Sequence, residues 1–316
     1  MRILIVTPAP SRSRKGNRIT ALRWARLLRE LGHRVELAES FVDQPCDLLI
    51  ALHARKSAKS IRAFHDARPG SPLLVALTGT DLYGDINTSR AAQRSLELAD
   101  RLVLLQPAGV NSLPEHVREK ARVIEQSATG LERRPTPLSS FFEVAVIGHL
   151  RPVKDPFRTA MAARKLPASS RIRVVHIGAA LSVAMAERAR AEMQRNPRYQ
   201  WVGELSWPQT MRRLARARLL VLSSRLEGGA NVISEAIAVG TPIIASHISG
   251  SIGLLGEDYP GYFEVGDTAS LRTLLQRAES DASVYRELRQ TGRRLLPLVR
   301  PRRERDDWEQ LLGEFS

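Results

Sequence analysis

Residues 223–236 read SSRLEGGANVISEA, and they decide the fold of the second half of the chain. The apolar run 219–223 predicts a buried strand, the two glycines predict a tight turn, and the residues from about Asn231 predict a helix. Such a turn points free backbone N–H groups and the positive end of a helix at one place, and glycine lets a phosphate oxygen come close. The stretch therefore predicts a site for a nucleoside diphosphate.

Two glutamates of this stretch stand eight positions apart. Glu235 falls one turn inside the predicted helix, where its carboxylate can accept hydrogen bonds from both hydroxyls of a ribose. Glu227 follows the strand and can reach a hydroxyl of a sugar. The other residues of the turn that would face the nucleotide are Gly228, Gly229, Asn231 and Val232. A helix start with two unrelated glutamates is the alternative interpretation.

A second motif supports the first one. Residues 145–155 read AVIGHLRPVKD, which again predicts a strand, a glycine turn and a helix. Arg151 and Lys154 then lie at the carboxyl end of the first strand of this half. An arginine fork and a lysine point charge suit a pyrophosphate leaving group, although solvated loop charges would look the same.

Short apolar runs alternate with helical patterns along the chain, which is typical of α/β proteins with parallel sheets. The predicted strands are 2–7, 34–38, 47–52, 72–77, 101–105 and 122–125, then 142–147, 171–177, 199–202, 219–223 and 242–246. The patterns at 19–31 and 55–67 predict helices. Residues 130–140 have turn-forming residues and no periodicity, and they predict a linker.

The predicted fold is therefore α/β, with two Rossmann-like domains whose parallel sheets face each other across a cleft. We expect the first domain at residues 1–135 and the second, nucleotide-binding domain at 141–299. The tail 284–315 is helical and broken at Pro297 and Pro301. Its last helix, 300–316, is expected to pack back on the first domain.

Length and composition exclude several classes of protein. The 316 residues suffice for two domains, and no apolar run approaches the ~18 residues that a membrane-spanning helix needs. The single cysteine, Cys46, excludes a disulfide framework and suits a reducing cytoplasm. The formal charge is +15, but arginines are spread over nearly every segment. Aromatic residues make up 5 % and are absent from the basic loops, which argues against a nucleic-acid partner.

Together these motifs resemble glycosyltransferase family 4, which has the GT-B fold. Glu227 and Glu235 match the family's Glu-x7-Glu signature. Its Gly-Arg-Leu…Lys-Gly phosphate loop is matched at Gly148, Leu150 and Lys154. Residues 78–83, TGTDLY, resemble the His-Gly-Thr-Asp-Leu-Tyr run of the family's first domain.

The chain departs from the family at three of these positions. His149 and Asp155 replace the arginine and the second glycine of the phosphate loop, and Ala230 replaces a usual glycine. The family arginine's role is not carried over to His149, and Arg151 can substitute for it.

The resemblance implies a UDP-sugar donor, with Lys154, Arg151 and Glu227 as catalytic residues. It also implies that no obligate metal or other cofactor is used, in agreement with the absence of an Asp-x-Asp motif. Residues 201–205, WVGEL, resemble the strand and loop that contact the base, which adds Gly203 and Leu205 to the donor-binding residues.

Acceptors in such folds bind to the first domain, where two basic loops follow strands whose ends face the cleft. Loop 8–18 has four basic residues around Gly16, and strand 47–52 runs into a basic stretch that begins at His53. The two loops would concentrate a small anion rather than a neutral sugar hydroxyl. The candidate acceptor-binding residues are Lys15, Gly16, Asn17, Arg18, Lys56 and Thr80. We expect His53 to orient the acceptor or to assist hydrolysis; a structural histidine and unoccupied surface charges are the alternatives.

The runs KGNRITALRWARLL (15–28) and EGGANVISEA (227–236) are similar to the family-4 branch that contains the selenosugar synthase of selenoneine biosynthesis. That resemblance implies C–Se bond formation between selenophosphate and the sugar of UDP-N-acetylglucosamine or UDP-glucose, with UDP and phosphate released. Selenophosphate is a small anion, which agrees with the two basic loops.

Two other functions remain open at this point. An ordinary family-4 O-glycosyltransferase of cell-surface glycan synthesis would explain every donor motif. For that function, Arg23, Arg26 and Arg29 would give helix 19–31 a basic face toward a membrane. An arginine-rich nucleic-acid binder would leave Glu227 and Glu235 without a purpose.

Overall fold

The protein's structure is a computed structural model that describes residues 1–11 and 16–315. Its strands over this range form two six-stranded sheets. The first sheet contains β1 (Arg2–Val6), β2 (Arg34–Ala38), β3 (Leu48–Leu52), β4 (Leu73–Leu77), β5 (Arg101–Leu104) and β6 (Ala121–Val123). The second contains β7 (Phe142–Ile147), β8 (Ile172–Ile177), β9 (Tyr199–Trp201), β10 (Leu219–Leu222), β11 (Ile243–Ser246) and β12 (Tyr262–Phe263).

The α-helices alternate with most of the strands, but none separates β2 from β3, β5 from β6, or β6 from β7. They are α1 (Gly16–Glu30), α2 (Ala58–Ala67), α3 (Ile86–Thr88), α4 (Arg90–Leu98), α5 (Arg158–Ala163), α6 (Val183–Arg195), α7 (Trp207–Arg216), α8 (Asn231–Val239), α9 (Ser249–Leu255), α10 (Thr268–Ser280), α11 (Ala282–Arg294) and α12 (Pro301–Gly313). None of the described helices is both long and apolar enough to span a membrane.

The first sheet is parallel, with the strand order β2-β1-β3-β4-β5-β6. Strands β3 and β4 read LLIAL and LLVAL and are buried along their whole length, because both faces of a parallel sheet are covered. On β1, Ile3 and Ile5 join one hydrophobic cluster while Leu4 and Val6 join the other, as the alternation of side chains along a strand requires. The order puts the ends of β1 and β3 side by side.

Helix α12 belongs to the core on one face of this first sheet. It begins at Pro301, where the fixed φ of proline suits a first helical turn. Trp308 of α12 and Trp24 of α1 are both fully buried, with their ring centroids 4.9 Å apart in an edge-on arrangement. The end of the chain is therefore part of the first core.

The second sheet is also parallel, with the order β12-β11-β10-β7-β8-β9. Strand β7 lies between β10 and β8, so the loops after these three strands emerge together at one edge. All eleven predicted strands are present, with ends that shift by at most two residues. The two-residue strand β12 is too short for a pattern to predict.

Contacts divide the chain into two compact units whose borders differ from the predicted ones. The first unit is Met1–Ser127, Glu227–Asn231 and Pro301–Ser316, and the second is Ala128–Leu226 and Val232–Arg300. Residues 128–135 fall in the second unit because Ala128 N donates to Val299 O (2.9 Å) and Arg134 Nε donates to Ala215 O (3.1 Å). The loop Glu227–Asn231 falls in the first because Asn231 and Gly228 contact residues of that unit.

Candidate active site

The loop after β7 carries both cations that the sequence predicts for the leaving group. Arg151 caps a 3₁₀ turn, Pro152–Lys154, and Asp155 follows in the left-handed region with φ 42°. Ser223, at the end of β10, fixes this turn because its Oγ donates to the carbonyl of Asp155 (2.9 Å). Arg151 and Lys154 thus stand within one turn at the carboxyl edge of the second sheet.

His176 forms a hydrogen bond to the start of this loop. It is buried, its Nε2 donates to Gly148 O (3.0 Å), and its Nδ1 accepts from the hydroxyl of Tyr199 (3.1 Å). Burial lowers the pKa of His176 to about 4, so the ring is neutral near pH 7. Gly148, Lys154, His176 and Ser223 line one small pocket. Sequence analysis missed His176 because it occupies an inward position of strand β8.

His149 has a local role in the same loop. Its Nδ1 accepts a hydrogen bond from Ala179 N (3.2 Å), while Leu150 N donates to Ala179 O (2.8 Å). The side chain that replaces the family arginine therefore ties the loop after β7 to the loop after β8.

The predicted base-contacting residues lie between β9 and α7. Gly203 adopts a left-handed φ of 73°, and its carbonyl accepts from Gly178 N (2.7 Å). Leu205 is half-buried just before the capping box with which Ser206 begins α7. Gly203 is therefore held by a backbone hydrogen bond, and Leu205 by the helix cap that follows it.

Glu235 lies half-buried on α8, and Val232 lies buried one turn before it. The first residue of α7, Trp207, is 48 % exposed, and its Nε1 donates to Glu235 Oε1 (3.1 Å). Trp207 thus joins the predicted ribose-binding carboxylate to the segment that contains Gly203 and Leu205. The sequence had no signal for Trp207, since a tryptophan at a helix start is ordinary.

The loop Glu227–Asn231 is packed tightly inside the first unit. A Cβ on Gly228 would stand 2.5 Å from Gly79 N, and a Cβ on Gly229 would stand 2.6 Å from Leu105 Cβ. Glu227 is 9 % exposed. Glycine is therefore required at both positions because the loop packs against the backbone of Gly79 and the side chain of Leu105, whether or not a ligand also binds there.

His53 is the centre of the predicted acceptor side. It is buried and holds a left-handed φ of 75°, which is unusual for a residue with a side chain. Lys56 N donates to its Nδ1 (3.4 Å), so the ring proton sits on Nε2, 3.2 Å from Thr80 Oγ1. Burial lowers the pKa of His53, although the nearby Asp81 acts in the opposite direction. His53 is therefore neutral, and its Nε2 donates a hydrogen bond to Thr80 Oγ1.

Asp81 builds the backbone around this histidine. Its fully buried carboxylate accepts from the N–H groups of Ala54 (3.1 Å), Thr78 (2.9 Å) and Gly79 (2.9 Å). The loops after β3 and β4 are thereby tied together, which brings His53, Lys56 and Thr80 into one group.

The remaining acceptor residues lie at the start of α1. Gly16, Asn17 and Arg18 form its first turn, and Lys15 lies outside the described residues. The Nε of Arg18 is buried and has no hydrogen-bond partner among the residues that the structure describes. Of the neighbouring cations, Arg55 is paired with Asp85 (2.8 Å), whereas Lys56 is exposed.

The basic face predicted for helix α1 is exposed only in part. Arg23 is 13 % exposed and is paired with Glu304, and Arg26 lies 3.7 Å from Glu30. Arg23 is therefore not part of an exposed basic row on this helix, whereas Arg26 and Arg29 are exposed.

A family model described as "Glycosyl transferases group 1" matches residues 132–295, which is more than half of the chain. The chain belongs to this family. The match covers the loop with Arg151 and Lys154, the residues from β9 to α7, and both glutamates.

Solved structures show the fold of this group 1 glycosyltransferase. Alr3699/HepE from Anabaena in complex with UDP has a TM-score of 0.79 at 17 % identity, over 99 % of this chain and 100 % of that one. Sucrose-phosphate synthase from Thermosynechococcus elongatus has 0.79 at 17 %, over 99 % and 98 %. A glycosyltransferase from Rickettsia africae ESF-5 has 0.77 at 14 %, over 99 % and 98 %. The predicted GT-B fold is thus confirmed.

Proposed function

We propose that this glycosyltransferase uses a UDP-sugar as its donor. The observation that carries the proposal is the position of the turn with Arg151 and Lys154. Ser223 fixes this turn at the carboxyl edge of the second sheet. Helix α8, with Glu235, begins at the same edge. Structures of HepE in complex with UDP and with UDP-glucose support it, since they share the fold.

Each donor residue then has a chemical task. Arg151 and Lys154 stabilise the negative charge that grows on the diphosphate as it leaves, so the reaction needs no metal ion. Glu235 accepts from the ribose hydroxyls, and Glu227 accepts from a sugar hydroxyl. The backbone around Gly203 and Leu205 contacts the base, and the stretch Gly228, Gly229, Asn231 and Val232 supplies N–H groups near the diphosphate.

We propose selenophosphate as the acceptor. Its anionic selenium attacks the anomeric carbon, a C–Se bond forms, and the C–O bond to the diphosphate breaks with release of UDP. Water then cleaves the Se–P bond to give phosphate and the selenosugar. A soft, already anionic nucleophile needs little activation, which agrees with a neutral His53 that donates rather than accepts at Nε2.

The phosphoryl end of this acceptor needs cations that are free to bind it. Exposed Lys56 beside His53, and the buried Arg18 Nε that lacks a partner among the described residues, support this role. We also propose Lys15, Gly16, Asn17 and Thr80 as contacts of the acceptor. A reducing, cytoplasmic location agrees with one buried cysteine and an oxidisable substrate.

An acceptor titration tests this proposal, with Lys56→Met compared with Lys59→Met as the matched control. Both lysines are exposed and lie three positions apart, but only Lys56 contacts His53, through its backbone N–H. We expect the KM for selenophosphate to rise roughly 10-fold in Lys56→Met, as the loss of one charged hydrogen bond implies, and to stay unchanged in Lys59→Met.

Two further measurements make the titration decisive. Phosphate should compete with selenophosphate, and a selenium-containing sugar should be detected by mass. No selenium product, together with transfer to a sugar hydroxyl, would overturn the selenophosphate proposal in favour of O-glycosyl transfer. A wild-type protein that fails to bind UDP would overturn the donor assignment itself.

A further inference from the structure

A network of buried polar side chains surrounds Glu304 of α12. Glu304 is 1 % exposed, and its carboxylate accepts from Trp24 Nε1 (2.8 Å) and from Ser127 N (2.8 Å). Arg23 Nε lies 3.1 Å from Glu304 Oε2 and completes the pair. A carboxylate this deeply buried is stable only when it is paired and hydrogen-bonded, and here both conditions are met.

Arg23 extends this network to the loop Glu227–Asn231. Its Nη1 donates to Asn231 Oδ1 (2.8 Å), and its Nη2 lies 2.7 Å from the Gln126 side-chain oxygen. The three nitrogens of one guanidinium therefore contact Glu304, Asn231 and Gln126. The rigid fork of arginine makes this possible, whereas a lysine ammonium is a single point.

Gln126 holds the same loop at a second place. It is 2 % exposed, and with its amide in the orientation that gives both ends a partner, its nitrogen donates to Asn231 Oδ1 (3.1 Å) and to Gly229 O (3.1 Å). Its oxygen accepts from Thr20 Oγ1 (2.7 Å) as well as from Arg23. The backbone of the loop and its last side chain are thus fixed by the buried Gln126 and the partly buried Arg23.

We propose that Arg23, Gln126 and Glu304 are positioning residues that hold the loop Glu227–Asn231 in its active geometry. The loop carries Glu227 and the N–H groups of Gly228 and Gly229, so its placement decides where these groups meet the donor. The inference rests on the proposed function of this loop in donor binding. Through Arg23 and Glu304, helices α1 and α12 would then affect catalysis although neither side chain contacts the substrate.

The test is Arg23→Lys, with Arg26→Lys as the matched control. Both arginines lie on α1, but Arg26 is exposed and is 3.7 Å from Glu30. Misplacement of catalytic groups by about 1 Å can cost roughly 100-fold in rate, so we expect kcat to fall 30- to 100-fold in Arg23→Lys. Arg26→Lys should keep wild-type kcat, and the KM for the UDP-sugar should change less than kcat in both variants.

Gln126→Met gives a second test that leaves the Arg23–Glu304 pair in place. It keeps the side-chain length but removes the hydrogen bonds to Gly229 O and Asn231 Oδ1, so we expect about a 10-fold loss of kcat with the fold retained. Hydrogen exchange measures the loop directly. The amides of Gly228 and Gly229 should exchange at least 10-fold faster in both variants, while those of β4 stay unchanged.

The outcomes separate the two proposals. Wild-type kcat and unchanged loop exchange in folded Arg23→Lys and Gln126→Met would overturn the inference, and so would a loss of thermal stability with kcat unchanged. If the wild-type protein neither binds UDP nor releases it from a UDP-sugar, the donor proposal fails. In that case faster exchange confined to the loop would still support the positioning role, and unchanged exchange would refute it.

Discussion

Gly228→Ala tests whether the close packing of the loop Glu227–Asn231 matters for the reaction. The new methyl group would stand 2.5 Å from Gly79 N, 2.5 Å from Thr78 C and 2.6 Å from Gly79 Cα. Ordinary van der Waals contact begins at 3.4 Å, so one side must move by about 1 Å. All three obstructing atoms belong to the backbone, so a change of rotamer cannot relieve the clash.

The structure indicates which side would move. Asp81 Oδ1 accepts from the N–H groups of Thr78 and Gly79, each at 2.9 Å, and its carboxylate is fully buried. The Thr78–Gly79 side is therefore anchored at the clashing atoms themselves, whereas Arg23 and Gln126 hold the loop only at Gly229 and Asn231, so Glu227 and Gly228 are the residues expected to shift. Overpacking of this kind costs about 1–3 kcal/mol of stability, and a displacement of about 1 Å at a catalytic group lowers kcat/KM roughly 100-fold.

The assay is UDP release from a UDP-sugar in the presence of selenophosphate, together with thermal unfolding. Gly292→Ala is the control, because Gly292 lies in α11 with no heavy atom within 4 Å of an added Cβ. That variant should be fully active and about 0.5–1 kcal/mol more stable, as alanine is in helices. A Gly228→Ala protein with kcat/KM within threefold of the wild type would refute the reasoning.

Three further predictions concern the second unit. Glu235→Ala should weaken UDP binding roughly 10- to 150-fold, because a hydrogen bond to a charged acceptor is worth about 1.5–3 kcal/mol. Glu235→Gln should weaken it less. If calorimetry finds equal UDP affinities for the wild type and Glu235→Ala, Glu235 is not part of the nucleotide site. Lys154→Ala should lower both kcat and kcat/KM, because Lys154 interacts with a charge that grows as the diphosphate leaves. The variant should unfold near the wild-type temperature. Wild-type turnover would contradict that role. His176, with a pKa of about 4 against an unfolded value of about 6.5, contributes stability that is fully present above pH 6.5 and is lost as the pH falls toward 4. The wild type should therefore be about 2 kcal/mol less stable at pH 5 than at pH 7, and His176→Gln should show a smaller difference in denaturant unfolding; equal differences would place the acid sensitivity elsewhere.

Local patterns predicted much of this architecture. The apolar runs gave eleven of the twelve strands, because a strand buried on both faces leaves a continuous run of aliphatic residues. The two-residue strand β12 leaves no such run. The glycine turns after β7 and β10 could be recognised because a turn followed by a helix has a local signature.

Contacts between distant segments could not be predicted in this way. Trp207 and His176 gain their roles from partners that are 28 residues away in the chain, Glu235 and Gly148, and nothing next to them in the sequence distinguishes them. The spacing of Arg23 to Arg26 predicts that Arg23 is part of a basic face. Its pairing with Glu304, 281 residues later, was invisible to any local pattern.

Local sequence patterns were sufficient to predict the strands, most of the helices and the two sheets, because these depend on residues within one or two turns of each other. Only the tertiary structure shows which charged side chains pair with each other. It assigned the loop Glu227–Asn231 to the first unit, where Gly228 fits against Gly79 and Asn231 against Arg23. The reason is physical: burial and pairing depend on what surrounds a group in space, and the chain order of a doubly wound fold separates those neighbours by up to 281 residues.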